Sequence, residues 1–366
     1  MTEKGSADLS PDINDSNELL KKFRPQSSVD LSEIQLAHKA APISEAFHGR
    51  LPTASELQNV TEELGIELAT AFFHRVVMDS DAHGPFNKRL RQYDLDIEHR
   101  PDIAKTFEIA FVASNLPQSR RKWGDHVEVW RKWARELGFT TDDIQTQPRL
   151  SITENARIVQ EHLLKYPHAR RIIVTYGQGA SELRLLLEKR IRIGNIDRGA
   201  ALLSVAAWIN ICGSVSGSGS SEILSRGIFK NRFHRLSLLL QGRSRHIHLQ
   251  TSAACKLWER PLVVPKEIFV TNIIGLPMMW QVPIGFRAFY QEMGKLSPND
   301  GVVTAAQSLA HPGVVVPISG MSHKAGNVLL KPVLQRVLSM AMQVVVERRA
   351  QQVAGQSHSE LTELNI

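Results

Sequence analysis

Only two cysteines, Cys212 and Cys255, occur in 366 residues, which excludes a disulfide framework and leaves no thiol set for a structural metal site. Each sits beside apolar neighbours, as a buried thiol in a reducing compartment does. Aromatic residues are sparse at 6%. No uninterrupted apolar stretch approaches the roughly 18 residues that a membrane span needs. The first residues are polar and acidic rather than a basic run followed by an apolar one, so no leader is expected and the expectation is a soluble, cytoplasmic protein. No internal repeat is present.

What the chain does have is 42% apolar residues, enough for one large core with an added cap or small extension. The net charge of +7 is concentrated. Between Ser218 and Arg260 lie eight basic residues (Arg226, Lys230, Arg232, Arg235, Arg243, Arg245, Lys256, Arg260) and two acidic ones, with His234, His246 and His248. Such a patch attracts anionic partners, here an anionic ligand or a membrane surface. Only Phe229, Phe233 and Trp258 interleave with it, so the base-stacking platform of a single-strand binder is missing and nucleic acid is not an expected partner. The three histidines have no Asp or Cys in metal-ligand spacing.

Residues 1–50 carry many Asp, Ser, Asn and Lys without sustained periodicity and are expected as a mobile arm, with one weak helix near Glu18 to Phe23. Residues 51–100 are expected as a helical extension, because Leu57, Val60, Leu64, Leu68 and Phe72 recur at helical spacing within Ala54 to Val77. From 101 to 350 strands and helices alternate. Thr106 to Ala113 is a core strand, Asp125 to Leu137 a helix stopped by Gly138, and Ser151 with Glu154 a capping box that opens the next helix. Arg170 to Tyr176 is a buried strand, Ala200 to Ile211 a longer one, and Glu267 to Ile274 and Val314 to Ile318 resume the strand pattern. Leu329 to Val346 is an apolar closing helix, and 351–366 a polar tail. The basic stretch 218–260 is expected as a helical insertion. Alternation of this kind predicts an α/β fold with a mainly parallel sheet covered by helices on both faces.

The stretch RRIIVTYGQGASE, Arg170 to Glu182, is a buried strand running into a sharp Gly-rich turn and a helix whose apolar face is Leu183, Leu186 and Leu187. It resembles the nucleophile elbow of the α/β-hydrolases, Gly-x-Ser-x-Gly, with Gly177 where the serine stands. The similarity runs from about Thr106 to Val346 and is strongest to bacterial esterase- and lipase-like proteins whose elbow reads YSKGA or GYSQGA. That family orders its site as nucleophile, acid, histidine. Carried over, Asp300 in the turn NDGVV corresponds to the acid and His323 in SGMSHKAGN to the base. The backbone N–H of Gln178 and one from the loop Ser114, Asn115, Leu116 correspond to the oxyanion donors. Asn-Asp-Gly is equally a common turn, and a glycine-rich strand–helix turn also cradles phosphates in other α/β proteins.

The resemblance implies no metal and no cofactor. It also implies that the acyl-enzyme route is lost, since glycine has no hydroxyl for the imidazole to deprotonate. Ser181 lies about one turn into the helix and is expected on its surface; Ser204 is expected inside a buried strand. The implied function is a catalytically degenerate form that binds a small acyl- or carbonyl-containing ligand. Open beside it stand a non-covalent hydrolase or general-base enzyme using His323 and Asp300, and a basic cap that binds an anionic lipid or polyanion.

Overall fold

The computed structural model describes residues 33–113, 126–147, 150–165, 170–193, 196–215, 261–309, 311–323 and 327–363. The chain begins there with helices α1 (Glu33–Glu45), α2 (Ala54–Leu64), α3 (Ile66–Asp79), α4 (Gly84–Gln92), α5 (Leu95–Glu98) and α6 (Pro101–Ala104). Next come β1 (Phe107–Ala113), α7 (His126–Glu136), β2 (Thr140–Ile144), α8 (Ile152–Lys165), β3 (Arg170–Tyr176), α9 (Gly179–Ile193), α10 (Ile196–Leu203) and β4 (Val205–Ile211). The chain closes with β5 (Phe269–Leu276), α11 (Ile284–Met293), α12 (Ala305–Leu309), β6 (Val314–Ser319) and α13 (Asn327–Glu363).

The six strands form one sheet in the order β2-β1-β3-β4-β5-β6, every neighbouring pair parallel. β4 (VAAWINI) and β5 (FVTNIIGL) are buried at every position, which is why their sequences are continuously apolar or amide-bearing rather than alternating. On one face Ile109, Phe111, Ile172, Val174, Ile209, Ile273 and Val316 pack against Trp130 and Ala134 of α7 and Leu334, Val337, Leu338 and Ala341 of α13. On the other, Val112, Ile173, Trp208 and Val270 meet α8, α9 and α10, while Ile274 and Val315 meet Leu57, Leu68, Phe72 and Val76 of α2 and α3. A parallel sheet covered by helices on both faces is the α/β architecture that the alternation of elements predicts.

A buried polar ladder crosses the centre of the sheet. Trp208 Nε1 donates to Thr175 Oγ1 (2.8 Å), Thr175 donates to Asn210 Oδ1 (3.1 Å), Asn210 Nδ2 donates to Asn272 Oδ1 (3.2 Å), and Asn272 Nδ2 donates to the Pro312 carbonyl (3.1 Å). At one edge of the sheet, the turn before α4 and the first turn of α4 occupy the ladder sites of Val315 in β6. Val315 N–H donates to His83 Nδ1 (3.3 Å) and Asn87 Nδ2 donates to Val315 O (2.8 Å), so that edge offers no free backbone pair there.

Several expectations are corrected. Residues 33–50 are not an arm: Leu36, Ala40, Ile43 and Phe47 are buried, with the Phe47 ring 5.1 Å from that of Phe72. The single helix expected over Ala54 to Val77 is two helices, because Gly65 at φ +81° turns the chain between α2 and α3. The run from Ala200 is helix as far as Leu203 and strand from Val205, with Ser204 in the turn between them. The tail from 351 continues α13 to Glu363. β2, a polar edge strand, is additional. Segment Val328–Gln352 of α13 is long and apolar enough to cross a membrane, but over half of it is buried and its apolar side forms core. The weak helix near Glu18 to Phe23, Cys255 and the basic stretch 218–260 lie outside the described residues.

Candidate active site

The C-terminal ends of parallel strands are where an α/β sheet leaves a crevice, and all the described candidate residues converge there. Tyr176, the last residue of β3, pairs in register with Ala113 of β1 and Ile211 of β4, so the turn that follows emerges between two neighbouring strand ends. Gly177 occupies that turn at φ +54°, in the left-handed region that a glycine adopts without strain. Its carbonyl accepts from Ser214 N–H (3.0 Å) and Ser214 Oγ (3.2 Å), and the Ser181 hydroxyl donates to the Ser214 carbonyl. These bonds tie the turn to the chain leaving β4. At Gly179, where α9 begins, a methyl group would overlap the Val112 carbonyl, so only glycine lets the helix approach β1 this closely.

Above the turn stands His323, in the loop after β6. Among the described residues, a Cβ built on Gly177 would have one neighbour within 4 Å, the Nε2 of His323 at 3.9 Å. The other ring nitrogen, Nδ1, is 2.9 Å from Asp300 Oδ2, and His323 N–H donates to the Asp300 carbonyl (2.8 Å). Asp300 is buried; its Oδ1 accepts from the N–H groups of Val302 and Val303, both at 2.8 Å. The NDGVV turn therefore does two things, since the same carboxylate closes the turn with one oxygen and faces the imidazole with the other. A carboxylate against Nδ1 keeps the ring proton there and leaves Nε2 as the basic nitrogen, directed at the space over Gly177.

Sequence reasoning missed two members of this site. The Tyr176 ring stacks on the imidazole (5.3 Å, 25°), its hydroxyl donates to the His323 carbonyl (2.5 Å), and Trp130 meets it edge-on at 5.3 Å. Burial pushes the Tyr176 phenol far up, so it stays a donor. The second is Cys212, at φ +46° just past β4, whose thiol lies within 4.8 Å of the Asp300 carboxylate and the His323 ring. Tyr176 directly precedes the elbow, which was the available signal; nothing in the sequence connects Cys212 with Asp300.

Cys212, Asp300 and His323 each bring a donor atom within 4.8 Å of the others, a possible metal-ligand set. Burial, and then the Asp300 carboxylate, push the thiol well up, so a metal bound here would have to displace the thiol proton.

Ser181 departs from expectation: it is fully buried rather than on the helix surface, and its hydroxyl is committed to Ser214. Among the described residues no serine or threonine hydroxyl is hydrogen-bonded to His323. Gln178 lies half-buried at the start of the helix turn, its side chain 3.4 Å from Glu182 Oε1. Ser114, Asn115 and Leu116 lie outside the described residues, directly after the end of β1.

No protein-family model and no curated protein matches the chain. Among solved structures, the metagenomic carboxyl esterase MGS0156 is similar with a TM-score of 0.49 at 18% identity, over 65% of this chain and 76% of that one. The Bacillus licheniformis lipase BlEst2 in mature form is similar with a TM-score of 0.47 at 15% identity, over 66% of this chain and 93% of that one.

Proposed function

We propose that this is an α/β-hydrolase-type protein whose nucleophile position is filled by Gly177 and whose site holds a small acyl- or carbonyl-containing ligand without forming a covalent bond to it. The observation that carries the proposal is the turn itself: Gly177 at φ +54° beneath an imidazole whose Nε2 lies 3.9 Å from where a side chain would begin. A serine hydrolase needs a hydroxyl there, and no acyl-enzyme forms without one. Among the described residues the space leaves room for a ligand carbonyl, with the Gln178 N–H as its oxyanion-type donor. A fluorophosphonate probe should leave the protein unlabelled, while short-chain acyl anilides, carbonyl compounds that resist hydrolysis, should raise its melting temperature. Labelling of the wild type at any serine overturns the proposal.

The intact His323–Asp300 pair favours a second reading. A water over Gly177 would face Nε2, and general-base activation of that water would hydrolyse an activated ester in one step. Turnover of p-nitrophenyl acetate without a burst, lost in His323→Ala, distinguishes it from binding alone.

A further inference from the structure

At the opposite end of the sheet, where β4 and β5 begin, lies a cleft of about 590 Å³ that takes no part in the site above. Leu203, Val205 and Ile268 form an apolar wall, and Leu203 is 73% exposed. Lys266, Arg348 and Arg349 bring positive charge to the same lining, and partial burial, then the charge of Arg170 at the start of β3, lower the affinity of Arg349 for its proton. Among the described residues none of these four cations has an acidic group within ion-pair distance; Glu267, the carboxylate of the lining, is exposed and pairs with none of them.

Arg348 is also held rather than loose. The Arg348 guanidinium lies 5.5 Å over the Phe269 ring and its NH1 donates to the Lys266 carbonyl (3.3 Å), which fixes the plane of its fork. Like charges gathered in a concave surface without counter-charges repel one another, and an anion relieves that repulsion. A guanidinium fork matches two oxygens of a phosphate group, and two adjacent arginines on one helix offer two forks to a doubly charged one.

We propose that this cleft binds a phosphate-bearing ligand, with Arg348 and Arg349 on the phosphate oxygens, Lys266 adding charge, and Leu203, Val205 and Ile268 receiving an apolar portion attached to it. The proposal is independent of what occupies the space over Gly177.

Calorimetric titration of the full chain with inorganic pyrophosphate at low salt tests it. The wild type should bind, and the affinity should fall as salt rises. Because each charge-assisted hydrogen bond contributes enough to change affinity about tenfold, Arg348→Gln/Arg349→Gln should weaken binding roughly 100-fold. Both side chains are exposed, so the double variant should melt with the wild type when no ligand is present. No binding by the wild type overturns the proposal. So does unchanged binding by the double variant, which would assign the anion to another basic surface such as residues 218–260. Phosphatidylcholine vesicles with and without phosphatidic acid separate two sources of the same chemistry. Vesicle association that disappears in the double variant identifies a lipid headgroup, and pyrophosphate binding without vesicle association identifies a soluble phosphate ester.

Discussion

Replacing Gly177 by serine restores the missing hydroxyl and tests the site's geometry in one step. Among the described residues the space above the turn accepts the new side chain, since only His323 Nε2 comes within 4 Å of its Cβ and that contact is an ordinary 3.9 Å. The cost is conformational: φ is +54°, and a residue with a Cβ is disfavoured in the left-handed region by roughly 1–2 kcal/mol. At about 2–4 °C per kcal/mol for a large domain, Gly177→Ser and Gly177→Ala should each melt roughly 2–8 °C below the wild type. Only the serine variant gains chemistry. One bond beyond Cβ, its hydroxyl comes within hydrogen-bond reach of Nε2, which can take its proton. Loss of the hydroxyl from a working triad costs on the order of a million-fold in turnover, so recovery of even a thousandth of that leaves a gain of about a thousandfold over glycine. The assays are thermal melting and labelling by a fluorophosphonate, with His323→Ala in the serine background as the control. Melting of both variants with the wild type would refute the elbow geometry; labelling of the alanine variant would show that the reactive hydroxyl lies elsewhere.

Other outcomes follow from the same structure. Asp300→Asn keeps an acceptor for the N–H groups of Val302 and Val303 but turns a donor toward Nδ1, so in the Gly177→Ser background it should abolish labelling while the fold persists. Gly179→Ala should be far more damaging than Gly177→Ala, because its methyl overlaps the Val112 carbonyl; a loss of at least 1–3 kcal/mol, about the usual cost of overpacking, should appear as a lower urea midpoint. Acid should destabilise the protein through buried histidines. Burial lowers His83, burial and then Arg91 lower His74 to about 4, and burial and then Arg184 lower His311 to about 3. The unfolded chain therefore takes up protons first, and stability present above pH 6.5 is lost as pH falls from there toward 4 and below, at about 1.4 kcal/mol for every tenfold by which folding weakens a histidine's hold on its proton. His311 has neither ring nitrogen bonded, so His311→Leu should lose less stability than the wild type between pH 7 and 4.5; an equal loss would remove His311 from the account.

The strands were legible wherever they were wholly buried. Ile172 to Val174 and Val314 to Ile318 announce themselves as short apolar runs bounded by turns, and the Ser151–Glu154 capping box forms as its spacing suggests. The run Ala200 to Ile211 reads as strand throughout because a buried helix and a buried strand have the same composition, and here it is some of each. β2 was illegible: Thr140 to Asp143 looks like a polar loop, and it becomes a strand only because the exposed edge of β1 is there to pair with. Gly65 was hidden by apolar spacing that continues across it, since α2 and α3 face the same core. In the site, Asp300 and His323 could be placed because their order along the chain constrains them. The Tyr176 stack and the Cys212 contact depend on how β3, β4 and the two later loops sit side by side, which no local pattern encodes.

The Trp208–Thr175–Asn210–Asn272 ladder has a consequence for how the sheet chooses its alignment. Ile172–Val174, Val205–Ile209 and Ile273–Ile274 would bury much the same apolar surface if one strand slid along its neighbour by two residues, since every second side chain would still face the same side. Hydrophobicity alone therefore discriminates weakly among such alignments. Slippage by two residues between β4 and β5 would set Asn210 opposite an aliphatic side chain and leave Asn210 Nδ2 and Asn272 Oδ1 without each other, at about 1–3 kcal/mol for each unsatisfied group. The ladder thus works as a key cut across three strands, and only one setting of the strands turns it. Because that setting also brings the ends of β3 and β4 level and carries β5 three residues beyond them, it fixes the height of Gly177 relative to the loops carrying Asp300 and His323.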